Sequence, residues 1–118
     1  MVIALFDPRK FMDIAICLCA KRNADEARVR TSIGRLYYAC YLTARQSLEN
    51  KGYKFYRNSE DHRLIREYLS QENKTDVVNK ISKLREMRNY ADYDLIRILT
   101  ENDFKRMLLI AQDVLKKL

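Results

Sequence analysis

The sequence predicts an all-α domain, an antiparallel four-helix bundle with one additional short helix. Three observations carry this expectation. The 118 residues include only two glycines and one proline, so there is little material for tight turns. Leu, Ile, Ala, Lys, Arg and Glu dominate, and no apolar–polar alternation of the strand type is sustained. Apolar residues recur instead at spacings of three and four, the period of one helix face. The length suits one domain over residues 1–118, with a single hydrophobic core.

The first helix is expected to start at Asp7, a good N-cap, with Pro8 at the first helical position. Phe6 and Phe11 flank the cap as a hydrophobic staple. Phe11, Ile14, Ala15 and Leu18 form the apolar stripe, which ends near Arg22 and Asn23. The second helix, from about Asp25 to Lys51, is the longest, and Gly52 supplies its stop. Val29, Ile33, Leu36, Tyr37, Cys40, Tyr41, Ala44 and Leu48 give it a wide apolar face. Its middle, "LYYACYL", is apolar nearly all round, so this helix belongs at the centre. Gly34 weakens a helix relative to Ala, and close approach of another helix is the expected reason for it.

"YKFYRNSED" reads as a loop. Asn58 or Ser59 caps a short third helix that faces Ile65, Tyr68 and Leu69 inward, and "SQENK" breaks it. Thr75 caps the fourth helix, where Val77, Ile81, Leu84, Arg88, Ala91 and Leu95 make one continuous stripe. Thr100 opens the last helix, with Asp103 completing a capping box. Phe104, Met107, Leu108, Ala111, Val114, Leu115 and Leu118 are its inward face.

The net charge is +7, from 23 Lys and Arg against 16 Asp and Glu. That balance suits an anionic partner, most often nucleic acid, and is also common in small helical proteins without one. Three cysteines, an odd number, suit reduced thiols in the cytoplasm, where Cys17, Cys19 and Cys40 read as small core residues. With one histidine and no second cysteine pair, no metal and no cofactor is expected. "MVIALF" is too short for a signal core, and no apolar run reaches the roughly 20 residues of a membrane span.

The anomaly is "REMRNYADYD", Arg85 to Asp94, where Arg88 occupies a stripe position that calls for Leu. A buried unpaired charge is very costly, so Arg88 must be paired or must reach a water-filled cleft. Asp92, four residues on, can pair with it, and Asn89 and Tyr90 flank the pair. Tyr37, Tyr38 and Tyr41 can approach from the second helix. One reading is a structural Arg–Asp pair supported by tyrosine hydroxyls. The other is an arginine presented to a phosphate, which a guanidinium grips in a bidentate way.

"SIGRLYYACYLTARQSLENKG", residues 32–52, and "LREMRNYADYD", residues 84–94, resemble the two motifs of small prokaryotic HEPN domains. Their order and spacing agree, and the resemblance covers about residues 7–118. It implies a four-helix bundle, often a homodimer and often paired with a minimal nucleotidyltransferase in a toxin–antitoxin or defence system. Many members are metal-independent ribonucleases that carry an arginine, four further residues and a histidine. Here the arginine is Arg88, and Tyr93 stands at the histidine position. The resemblance therefore nominates Arg88 and Tyr93 as the catalytic pair. It nominates Arg88, Asn89, Arg35 and Arg85 as nucleic-acid contacts, supported by Asp92, Tyr90 and Tyr38.

The family's chemistry is attack of a ribose 2′-OH on the adjacent phosphate, with a general base and an arginine on the developing charge. Histidine suits that base near neutral pH, whereas a tyrosine, with a reference pKa of about 10, does not. Positions 88 and 93 lie about 140° apart round a straight helix, so a helix end, a kink or a second subunit must unite them. Two functions follow: an RNA- or nucleotide-binding component with ribonuclease activity, or a non-catalytic dimerisation module for a nucleotidyltransferase partner. Such a partner could also modify Tyr90 or Tyr93, since the usual acceptor position holds Leu95. His62 is expected to be a solvated histidine, with a substitute base as the alternative. Arg35, Tyr38 and Leu42 form a second face of their helix, read as core packing, a dimer seam or a stacking platform for RNA. Lys51, Lys54, Arg57, Arg63 and Arg66 extend a phosphate track or form a solvated face.

Overall fold

Five helices follow one another in the computed structural model, which describes residues 6–20 and 24–118. They are α1 (Lys10–Leu18), α2 (Glu26–Asn50), α3 (Glu60–Gln71), α4 (Thr75–Tyr93) and α5 (Glu101–Lys117). No strand occurs among the described residues. The first five residues and the expected end of α1 at Arg22 and Asn23 lie outside them. No helix among the described residues is long and apolar enough to cross a membrane.

α2 is the axis of the bundle and packs against all four other helices. Its 25 residues extend about 37 Å along a molecule 43 Å long. Asp25 starts it by accepting the Arg28 N–H at 2.8 Å. Gly52, at φ 96°, ends it in the left-handed region that an L side chain avoids. All eight residues of the expected apolar face are buried, and so are Ser32, Gly34, Ala39 and Thr43. Burying Leu36 or Leu48 contributes about 1.5–3 kcal/mol each.

α1 departs from its expected stripe. Asp7 does cap the chain, accepting the Arg9 N–H at 3.0 Å, but one tight turn precedes the regular helix at Lys10. Phe6 and Phe11 form the staple, with ring centroids 5.2 Å apart. Ala15 is buried, with Met12 and Cys19 packed against the core beside it, while Ile14 is 53% exposed. Spacings of three and four through Ala15 therefore select Met12 and Cys19 rather than Phe11 and Ile14. With nine residues, α1 is also shorter than α3, which has twelve, so the short helix of the bundle is the first and not the third.

The loop before α3 is tied to a residue the sequence reading passed over. Asp61 is fully buried and accepts the Tyr56 and Arg57 N–H groups at 2.9 Å each. Asn58, rather than Ser59, supplies the side-chain cap by accepting the Glu60 N–H at 3.0 Å. α4 begins one residue earlier than a Thr75 cap requires, so Thr75 is its first residue and Lys74 its N-cap. At the head of α5 the Thr100 N–H donates to Asp103 at 2.8 Å, the carboxylate half of the expected capping box. Phe104, Met107, Ala111, Val114 and Leu115 are buried as expected.

The cysteines divide. Cys40 is buried, and burial pushes its thiol up to about 12, which leaves it inert. Cys19 is partly buried and its thiol donates to Ser32 Oγ at 3.2 Å. Cys17 is exposed, so it is not the core residue that its neighbours suggested.

Candidate nucleic-acid interface

The buried stripe of α4 runs Val77, Ile81, Leu84, Met87, Ala91. After Leu84 both the third and the fourth following positions face inward, and the apolar one takes the interior. Arg88 is thus displaced to the edge of the stripe, with its side chain 19% exposed. Leu95, expected to continue the stripe, lies beyond the helix and is 86% exposed. The anomaly of an arginine in a leucine position resolves into an arginine at the rim of the core.

Arg88 Nε lies 2.9 Å from Asp92 Oδ2, so the expected ion pair forms. Its N–H is not directed at that oxygen, and Nε is sealed from solvent without a hydrogen bond, which makes this a charge contact. Arg88 Nη1 donates to Asn89 Oδ1 at 3.2 Å. Nη2 has no hydrogen-bond partner among the described residues. Gly34 of α2 sits under this pair: a Cβ there would meet Asp92 Oδ1 at 3.9 Å, an ordinary contact. The close approach expected at Gly34 is therefore that of a carboxylate, and there is room for a methyl group.

Tyr38 of α2 links the predicted arginines. Its ring centroid lies 5.3 Å from Arg35 Cζ and 5.4 Å from Arg88 Cζ. Arg35 also lies over Phe11 of α1, at 5.0 Å. Tyr93 lies 5.7 Å from Arg88 Cζ and is 73% exposed. The two positions that a straight helix separates are brought together because α4 ends at Tyr93. Arg30 of α2 finishes that end by donating to the carbonyls of Tyr90 and Ala91 at 3.1 and 3.0 Å, and to that of Arg97. Its other edge is held by Glu26 at 2.8 Å. Tyr90 does not support the Arg88 pair. Its ring packs under Arg97 at 4.1 Å and its hydroxyl donates to Glu86.

His62 is not a solvated bystander. It opens α3, and its Nδ1 lies 2.5 Å from Tyr37 Oη. Its ring stacks on Tyr41, with centroids 4.3 Å apart. Burial holds its imidazole below the ordinary range, and the positive charges of Arg85, Arg88 and Arg66 push the same way against Asp61. Burial also pushes the Tyr37 phenol up, so Tyr37 stays a neutral hydroxyl. Arg85 Nε is sealed from solvent without a hydrogen-bond partner, a donor whose desolvation costs about 1–3 kcal/mol. The one sequence cue to this cluster was the phase of three tyrosines on α2, since His62 lies on another helix.

The rest of the expected phosphate track is neutralised. Lys51 pairs with Glu72, Arg57 with Glu49, and Arg63 with Glu60 and Glu67. Lys54 lies over the Tyr56 ring. Like Lys54, Arg66 makes no ion pair among the described residues, and it lines a groove of about 340 Å³ with Ser82, Arg85, Glu86 and Asn89. Among the described residues no group of three or more His, Cys, Asp and Glu is placed to hold a metal.

Fold and site together define a small helical bundle with a polar, arginine-bearing motif at the end of its fourth helix. The HEPN domain family matches residues 19–118, and the chain belongs to that family. It is 35% identical to the uncharacterized protein MJ0628 of Methanocaldococcus jannaschii, over 77% of this chain. The match covers 65% of that relative's length. No solved structure matches the chain significantly.

Proposed function

We propose that this HEPN protein binds RNA or a nucleotide through the basic face around Arg88, as a cytoplasmic component of a toxin–antitoxin or defence-type pair. One observation carries the reading. The positive charges of Arg66, Arg85 and Arg88 all act on His62, and among the described residues the single carboxylate at ion-pair distance from any of the three is Asp92. Arg88 would meet a phosphate through Nη2, with Asn89, Arg85 and Arg35 extending the contact. Arg88 beside Tyr93 is the candidate site for metal-independent cleavage, in which the 2′-OH displaces the 5′-oxygen at phosphorus.

The test is incubation of the purified protein with total RNA in EDTA, alongside an electrophoretic binding assay. Binding is expected to weaken in Arg88→Ala. Intact RNA after incubation with wild type, or equal cleavage by Arg88→Ala, removes the catalytic part. Wild-type binding retained by Arg88→Ala removes the binding part.

A second reading is a non-catalytic module that dimerises or docks a minimal nucleotidyltransferase. The exposed apolar run of Tyr93, Leu95, Ile96 and Ile98 favours it. If such a partner modifies the protein, Tyr93 is the accessible acceptor, because Tyr90 is held under Arg97. Co-expression with a nucleotidyltransferase and mass spectrometry of the 93–98 segment tests this, an unmodified Tyr93 counting against it.

A further inference from the structure

We propose that the groove between α3 and α4 is a second phosphate subsite, in which Arg66 and Arg85 grip one phosphate of a polynucleotide strand and His62 contacts it through Nε2. The inference rests on the nucleic-acid reading for its ligand, and on separate residues for its site.

The groove is bounded by Arg66 of α3 and by Ser82, Arg85, Glu86 and Asn89 of α4. Neither arginine has a carboxylate within 4.0 Å among the described residues, unlike Arg57 or Arg63 nearby. Arg85 Nε is sealed without an acceptor, and none of its other nitrogens has a hydrogen-bond partner among the described residues. Its two Nη nitrogens are not among the sealed atoms, so these, and not Nε, can meet an oxyanion from outside the chain. Ser82 and the amide N–H₂ of Asn89 supply neutral donors to the same ligand, since Asn89 Oδ1 is already accepting from Arg88. Glu86 is the one acid in the groove. Its carboxylate accepts from the Tyr90 hydroxyl at 3.4 Å and makes no ion pair with Arg85.

His62 is one helical turn before Arg66, on the same face of α3. Tyr37 Oη holds Nδ1, and stacking on Tyr41 fixes the ring plane. Nε2 has no hydrogen-bond partner among the described residues and is not among the sealed, unpartnered atoms, so it is open to a ligand. When the Tyr37 hydroxyl donates to Nδ1, neutral His62 carries its proton on Nε2 and is a donor there. The groups facing His62 are Tyr37 and Tyr41 from α2, Arg85 and Arg88 from α4, and Asp61 and Arg66 from its own helix. The surplus is three positive charges to one negative, and Asp61 is already bound to Arg45 and two backbone N–H groups. A phosphate in the groove offsets part of that surplus and so favours protonated His62. Binding should therefore tighten as the pH falls through the imidazole range.

Two probes test this on the full chain. With inorganic phosphate, the NMR titration midpoint of His62 is expected to rise, and the rise should vanish in the Arg66→Ala, Arg85→Ala double variant. With labelled single-stranded RNA, each arginine removed should reduce the salt slope of the affinity by about 0.7. Binding should strengthen from pH 7.5 to 5.5 in wild type, and this strengthening should be lost in His62→Gln. Glu86→Gln should tighten binding. A His62 resonance that ignores phosphate overturns the subsite. So does a double variant that binds RNA with the wild-type salt slope while Arg88→Ala weakens binding, a result that leaves the broader reading standing. Phosphate that moves His62 in a protein that does not bind RNA leaves the subsite and removes the polynucleotide.

Discussion

Two groups of arginines occupy this small domain and meet opposite circumstances. Around the start of α3, Arg57 makes a two-pronged contact with Glu49 at 2.9 and 3.0 Å, and Arg45 lies 3.6 Å from Glu49 and 3.8 Å from Asp61. Between α3 and α4, Arg66 and Arg85 have no such partner among the described residues, and Arg88 has one carboxylate, that of Asp92. The first group spends its charge on folding. It anchors a loop whose two backbone N–H groups end on a buried carboxylate. The second group leaves its charge facing outward, beside a histidine fixed by two tyrosines. The net charge of +7 is thus not spread evenly in effect, because the partners are local.

The largest test of this contrast is Asp61→Ala. It strands two backbone donors and uncouples Arg45, so a loss of about 2–4 kcal/mol in urea unfolding is expected. A loss near zero would mean that the paired region contributes nothing to folding. Next is Tyr37→Phe, which removes the hydroxyl that holds His62. It should cost about 1 kcal/mol and release the imidazole, visible as a changed His62 titration by NMR.

A smaller effect is the pH dependence of stability. Folded His62 resists protonation relative to its ordinary value of 6.5, so the unfolded chain takes up the proton first as pH falls. Stability should therefore decline as pH drops through that value towards the lower folded one, and His62→Gln should flatten the decline. Glu72, Asp76 and Asp113 are held below the usual carboxylate range by lysine partners, so their contribution is lost only at more acid pH. Thermal melts between pH 7.5 and 5.5 isolate the histidine, and identical slopes for the two proteins would remove its role. The smallest effect is on the unpaired side. Arg85→Ala should not destabilise the fold, since no acid depends on it and its removal relieves a sealed, unpartnered donor. A clear destabilisation would show that Arg85 belongs with the structural arginines after all.

Much of the fold was legible because helix signals are local. Asp25, Gly52 and the Thr100–Asp103 pair act within a few residues, and the α2 and α5 stripes repeat without ambiguity. The errors fall where two residues compete for one face. Met87 outcompetes Arg88, and Met12 and Cys19 displace Phe11 and Ile14. Periodicity allows either choice, and only packing against α2 selects one.

The site divides in the same way. The sequence alone determined that an arginine, an asparagine, an aspartate and a tyrosine would crowd one helix end, and that Asp92 could reach Arg88. These are relations within a single helix, set by its pitch. Tertiary structure alone decided that Tyr38 lies between Arg35 and Arg88, that Arg30 closes the end of α4, and that Tyr90 turns away. It alone placed His62 against Tyr37 and Tyr41. Those relations join residues far apart in the chain, and they depend on how helices seat against each other, a free energy that no local pattern carries.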